Sequence, residues 1–131
     1  MAKYSVKKNS SKKKKNIVSG VLNVWATFNN TIVSLSDNRG GVLSWSSTGV
    51  HGFKGSRKAT PYAAQVTTKQ VLSSAKNFGI QSLSIVIRGP GIGRESSLRE
   101  IHADSTMNIT SITDKTYNAH NGCRPPKKRR V

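Results

Sequence analysis

Three stretches of this chain set cationic side chains beside backbone that can approach an anion closely. The first is Ser47-Thr-Gly-Val-His-Gly-Phe-Lys-Gly-Ser-Arg-Lys-Ala-Thr-Pro-Tyr62, where Lys54, Arg57 and Lys58 are interleaved with Gly49, Gly52 and Gly55. Glycine has no Cβ, so it permits positive φ and close approach of backbone to a ligand. Thr60-Pro61 reads as the N-cap and first residue of a helix. An open helix N-terminus would add free N–H groups and the positive end of the helix dipole. The second stretch is Arg88-Gly-Pro-Gly-Ile-Gly-Arg94, glycines flanked by two arginines. The third is the C-terminal run, with Arg124, Lys127, Lys128, Arg129 and Arg130 beyond an Asn121-Gly122 turn. There Pro125-Pro126 stiffens the backbone into an extended form suited to a groove. The chemistry common to all three is phosphate binding, and Gly55 in the first loop would let backbone close on a phosphate. Trp25, Trp45 and Phe53 offer rings on which bases stack, although Trp45 is better suited to a core or a protein interface.

Enzymatic chemistry finds no such assembly. Gly89-Pro-Gly-Ile-Gly93 follows a strand pattern and precedes a helical one, as a dinucleotide loop does, but its third glycine comes one position too early. No Gly-Lys-Ser/Thr phosphate loop occurs. Metal-dependent nuclease chemistry needs several converging carboxylates. The acids are Asp37, Glu95, Glu100, Asp104 and Asp114, and none falls in the first strand. His51, His102 and His120 lack paired ligand spacing, and His120 with Cys123 makes two ligands where a structural zinc site needs four. Cys123 reads as a buried or spectator thiol. The chain is therefore read as a binding protein, not an enzyme, with no cofactor, no metal and no small-molecule substrate.

The charge balance agrees. The chain has 131 residues and a net charge of +17, from 22 Lys+Arg against 5 Asp+Glu. Such an excess points to a polyanionic partner. Its placement is uneven: seven lysines lie within residues 1–15 and five bases within residues 124–131. Like-charge runs cannot pack on themselves and order on a polyanion. The chain divides into a basic N-terminal arm over residues 1–15, one domain over residues 16–119 and a basic tail over residues 120–131. No long apolar run and no basic amphipathic helix is present, so a membrane is not the expected partner. One cysteine excludes an intrachain disulfide, and the N-terminus lacks an apolar leader, which fits a reducing compartment.

The elements that must position these loops can be read from periodicity. Ile17–Phe28 alternates, with Val18, Gly20, Leu22, Val24, Ala26 and Phe28 on one face and Trp25 on the other, which predicts a strand. Thr31–Ser36 and Val42–Ser46 follow after short turns, giving an antiparallel meander. Ala64, Thr68, Val71, Leu72, Ala75 and Phe78 recur at three and four, predicting a helix from Thr60 to Phe78 that Gly79 ends. Leu83–Ile87 is almost wholly apolar, as in a strand covered on both faces. Glu95–Ala103 is expected to be helical, with Leu98, Ile101 and His102 inward, and Asn108–Thr113 to be a fifth strand. Strand–helix–strand–helix–strand favours parallel pairing with right-handed crossovers. The fold class is α/β with a mixed five-stranded sheet.

Five segments together resemble the small-subunit ribosomal protein S-eleven family in its bacterial and organellar form. They are Phe28-Asn-Asn-Thr-Ile-Val33, Gly52–Gln65, Gly89-Pro-Gly-Ile-Gly-Arg-Glu95, Ile109-Thr-Ser-Ile-Thr-Asp114 and His120–Val131, in that order and over most of the chain. The N-terminal arm shares only its basic character. The resemblance implies a ribonuclease H-like sheet without nuclease carboxylates, and a structural constituent of the small ribosomal subunit, located in its platform. It also implies binding to small-subunit rRNA, neighbours numbered seven and eighteen among the subunit's proteins, and a part in shaping the cleft where mRNA pairs with rRNA. Asn- and Ser-rich composition, Ile92 and Thr67-Thr68 suggest an AT-rich genome and a plastid (chloroplast stroma), with bacterial cytoplasm and mitochondrion as alternatives. The competing reading is a nuclear, DNA-associated basic protein, because Pro-Lys-Lys-Arg-Arg-Val also has the composition of an import signal.

Overall fold

The computed structural model describes residues 17–131; the basic arm over residues 1–15 lies outside the described residues. Strand β1 (Ser19–Ala26) buries Gly20, Leu22, Val24 and Ala26 and turns Val21, Asn23 and Trp25 to the other side. Val18 and Phe28, expected on its inner face, lie beyond its ends and are exposed. The strand stops at Ala26 because residues 27–30 close a turn. The Thr27 N–H donates to the Asn30 carbonyl at 2.8 Å, and the Asn30 N–H donates to the Thr27 hydroxyl at 3.1 Å.

Strand β2 (Thr31–Ser36) returns antiparallel. The Asp37 carboxylate accepts the N–H groups of Arg39 and Gly41 at 3.0 and 2.8 Å, closing the turn into β3 (Val42–Ser47). Two short 3₁₀ turns, Thr48–His51 and Gly55–Ala59, lead to helix α1 (Pro61–Asn77). Its C-terminus is closed by Gly79 at φ 76°. There the Gly79 N–H bonds the Lys76 carbonyl at 3.0 Å, and the Ile80 N–H bonds that of Ala75 at 3.3 Å. Strand β4 (Ser82–Arg88), helix α2 (Gly93–Ala103) and strand β5 (Asn108–Asp114) complete the chain's regular elements.

The sheet order is β3-β2-β1-β4-β5, with β1 antiparallel to β2 and parallel to β4, and β4 parallel to β5. This is the expected meander followed by parallel crossovers, a mixed five-stranded α/β sheet. The core is one cluster in which Leu22, Val24, Val33, Leu35, Leu83, Ile85 and Ile87 from the sheet meet Val71, Leu72, Ala75 and Ile101 from the helices. Burying such aliphatic side chains contributes about 1.5–3 kcal/mol each.

Three sequence expectations are corrected. Strand β4 is not covered on both faces. Both helices pack on one side, so Ser82, Ser84 and Val86 are only half-buried on the other and Arg88 is exposed. Val86, one apolar residue on the open side, disguised the alternation. Helix α2 buries Ile101 but leaves His102 exposed, because it is rotated to bring Ser97 against α1, where the Thr68 hydroxyl donates to Ser97 Oγ at 3.0 Å. Trp45 is not in the core: it stands opposite Ser34 on the open face and is 61% exposed.

The glycine loop after β4 seats directly on the corner between β1 and β2. The Gly91 N–H donates to the Ala26 carbonyl at 3.0 Å. A Cβ on Gly91 would lie 2.5 Å from the Thr27 carbonyl oxygen and 2.7 Å from the Ala26 carbonyl carbon, both rigid backbone. Asn30 binds the same corner: its Oδ1 accepts the Thr31 N–H at 2.8 Å and the buried Thr48 hydroxyl. Gly91→Ala is therefore expected to destabilise the protein by about 1–3 kcal/mol. By contrast, Gly49→Ala, whose Cβ would meet nothing nearer than 3.8 Å, is expected to be neutral or slightly stabilising. Denaturant midpoints of the two variants against wild type measure the contrast.

Candidate nucleic-acid interface

The topology delivers the basic loops to one end of the sheet. Strands β1, β4 and β5 run parallel, and β2 runs back from its pairing of Thr31 with Ala26. The C-terminal ends of β4 and β5, the C-terminal end of β3 and the N-termini of both helices therefore share one edge. The 47–60 loop leaves from Ser47, the glycine loop from Arg88 and the tail from Asp114. Lys54, Arg57, Lys58, Arg88, Arg94 and Lys115 all lie at this end, while Arg39, Lys76, Asp37 and Asp104 lie at the opposite one.

The 47–60 loop is held from below and open above. Thr48 is buried against Asn30, Ser46 Oγ and His51 Nε2 are 2.8 Å apart, and Phe53 packs edge-on against Tyr62 with centroids 6.1 Å apart. Gly52 at φ 83° and Gly55 at φ 60° turn the backbone between these anchors, in the left-handed region that side chains disfavour. Lys54, Gly55 and Arg57 stand exposed on the crest, and Lys58 is half-buried. The helix N-terminus is less open than expected. Pro61 has no N–H, and Thr60 Oγ1 already accepts that of Ala63 at 3.4 Å. The exposed polar groups at this point are therefore mainly the side chains of the crest.

The second loop divides its two arginines. Arg88 is exposed at the end of β4. Arg94 is half-buried and braces the loop, donating to the Gly89 carbonyl at 3.0 Å and pairing with the Asp114 carboxylate at 2.5 Å. Gly93 opens α2 against Thr31, where a Cβ would collide with the threonine hydroxyl. The loop thus turns the chain and packs it closely, and Arg94 ties it to the end of β5.

Beyond Asp114 the chain has no regular element. The Lys115 N–H donates to the Ile87 carbonyl at 2.9 Å, which starts the tail beside Arg88. Asn121 takes a left-handed φ of 67° before Gly122, where the chain bends without the hydrogen bond of a closed turn. Arg124, Lys127, Lys128, Arg129 and Arg130 are exposed, and no ion pair among the described residues engages them. Cys123 is exposed, which removes the buried-thiol reading. Among the described residues no three His, Cys, Asp or Glu side chains are grouped to hold a metal, and no helix is long and apolar enough to cross a membrane. Sequence reasoning missed Lys115 and Tyr117. Their only signal was position, immediately after the last strand and at the sheet end that carries the loops.

The Asp114 carboxyl is held down to about 2, first by the Thr116 hydroxyl and backbone N–H and then by Arg94. A depressed folded-state value means that the contact's contribution is complete above the ordinary carboxylate value and is lost as pH falls through about 2. The side-chain carboxyl resonance of Asp114 is therefore expected to titrate well below those of unpaired aspartates. In Arg94→Gln it should move up only part of the way, because the Thr116 bonds remain.

Comparison with known proteins places the chain. Residues 20–130 match the family model described as ribosomal protein S11. The chain is 52% identical over 120 residues to the small ribosomal subunit protein uS11 of the bacterium Marinobacter nauticus, covering 92% of each chain. With the matched region running from the first strand to the penultimate residue of the tail, the chain belongs to the ribosomal protein S11 family.

Proposed function

We propose that this protein is a non-enzymatic structural constituent of the small ribosomal subunit that binds small-subunit rRNA in the platform. The observation that carries the reading is the gathering, at one end of the sheet, of cations from the 47–60 loop, the end of β4 and the root of the tail, which no ion pair among the described residues engages apart from Arg94. Lys54, Arg57, Lys58 and Arg88 contact phosphates at fixed positions. Gly55 admits the RNA backbone, and Arg94 lines the rim with the N–H groups its internal bonds leave over. Asn121 aims the tail, and Arg124, Lys127, Lys128, Arg129 and Arg130 follow the RNA strand. Contacts of this kind fix register and orientation and carry little base sequence.

In this reading the loops border the cleft in which mRNA pairs with rRNA, and the proteins numbered seven and eighteen are the neighbours. Neither a membrane nor a small-molecule substrate takes part. Plastid stroma is the compartment favoured by the composition, while the bacterial relative favours bacterial cytoplasm. A nuclear DNA-associated role is the alternative for the tail, and co-sedimentation with ribosomal subunits rather than chromatin separates the two.

Two measurements test the RNA reading. Deleting residues 124–131 removes five bases. The slope of log affinity against log salt for small-subunit rRNA should flatten by up to about four units, since each phosphate contact contributes somewhat under one. An unchanged slope overturns the tail's role. Arg57→Glu should block placement on rRNA while helix content stays at wild-type level. Normal incorporation, or loss of the fold, would show the crest to be structural.

A further inference from the structure

The open face of the sheet is a second surface, distinct from the end that carries the basic loops. Trp25 is 44% exposed there, between its cross-strand partners Ile32 on β2 and Arg88 on β4. Tyr117, 76% exposed, returns from the root of the tail to line the same cleft. The cleft holds about 400 Å³, and Asn23 and Ser34 supply polar groups on its floor. Trp45 stands further along the face, opposite Ser34. Across all five strands only Arg88 and Asp114 are charged, and Asp114 is paired with Arg94 at the end of β5.

We infer that this cleft is a nucleobase site, in which an unstacked base of single-stranded RNA lies against Trp25 and Tyr117 while Arg88 holds its phosphate. Both chemical halves of a single-strand site are present, a stacking ring and a cation one strand away. The polar floor can meet a base edge, whereas a purely apolar partner would leave Asn23 unpaired. Charge decides the class of partner: a face without a free acid, on a chain of net charge +17, accepts a polyanion. Arg88 also belongs to the basic end, so a strand held by the loops can continue onto this face. The site rests on the rRNA-binding reading and adds base stacking to it.

The chain contains two tryptophans, Trp25 and Trp45. Trp45→Phe therefore leaves Trp25 as the sole indole reporter in the full chain. This variant is titrated with an oligoadenylate and with an abasic ribose-phosphate strand of the same length. The oligoadenylate is expected to quench Trp25 and to bind at least about fivefold more tightly than the abasic strand. With binding read from the anisotropy of end-labelled strands, Trp25→Ala and Tyr117→Ala should each erase that preference while leaving abasic binding unchanged. Tyr117 lies outside regular structure, so its removal cannot be confused with unfolding.

Equal binding of both strands with Trp25 emission unmoved, or a preference that survives Tyr117→Ala, overturns the site. If Arg57→Glu still weakens both strands in that case, rRNA binding stands and only the stacking falls. If neither strand binds at low salt, both readings fall. A change in Trp25 emission that other small-subunit proteins produce and RNA does not would assign the face to protein docking, and also overturns the inference.

Discussion

The structure depends on how closely the loop after β4 sits on the corner between β1 and β2. The Ala26 carbonyl receives the Gly91 N–H, and there is no room for a side chain between them. Asn30, one turn away, gathers the Thr31 N–H and the Thr48 hydroxyl on one oxygen. Three segments far apart in sequence are thereby packed around one corner. Thr48 and the glycines are shape constraints before they are anything else. What they secure is the position of the residues around them: Lys54 and Arg57 above Thr48, Arg88 before Gly89, and Arg94 after Gly93.

The chain carries two kinds of cation. Arg94 and Lys76 are engaged with Asp114 and Asp104, and in each pair the aspartate is held below its ordinary value by a neighbouring threonine together with the base. Such exposed pairs contribute little to stability. Their effect is orientation, since Arg94 fixes the loop to β5. The cations on the crest and the tail have no acid opposite them among the described ion pairs. A chain with so few carboxylates cannot neutralise itself, and a polyanion is the natural complement to what is left.

Much of this was legible in the sequence. A period-two run located β1, short β-branched or apolar runs between turns located the other strands, and the three-and-four spacing of Ala64, Thr68, Val71, Leu72 and Ala75 located α1 because its inner face meets one apolar layer. Thr60-Pro61 and Gly79 marked its ends because capping is local chemistry. The basic residues of the loops were visible as residues, but not their convergence, which comes from strand order and direction. The open face was harder to see. Val86 made β4 look buried on both sides, and the rotation of α2 that exposes His102 is set by Ser97 meeting Thr68, a contact between side chains 29 residues apart. The cleft at Trp25 needed Tyr117, which no periodicity assigns to a sheet.

The central place of β1 has a consequence for how the molecule is made. Its pairing with β2 joins neighbours across a short turn, whereas its pairing with β4 joins Ser19 to Ser82, across the whole of β2, β3 and α1. Local pairs close at little entropic cost and distant ones wait on loop closure. During synthesis the meander can form early, but one side of β1 must remain unpaired until β4 emerges. The glycine loop and the tail can take up their places only after that. The end of the sheet that gathers the cations is thus completed last, which keeps its like charges apart until most of the core that must hold them together exists.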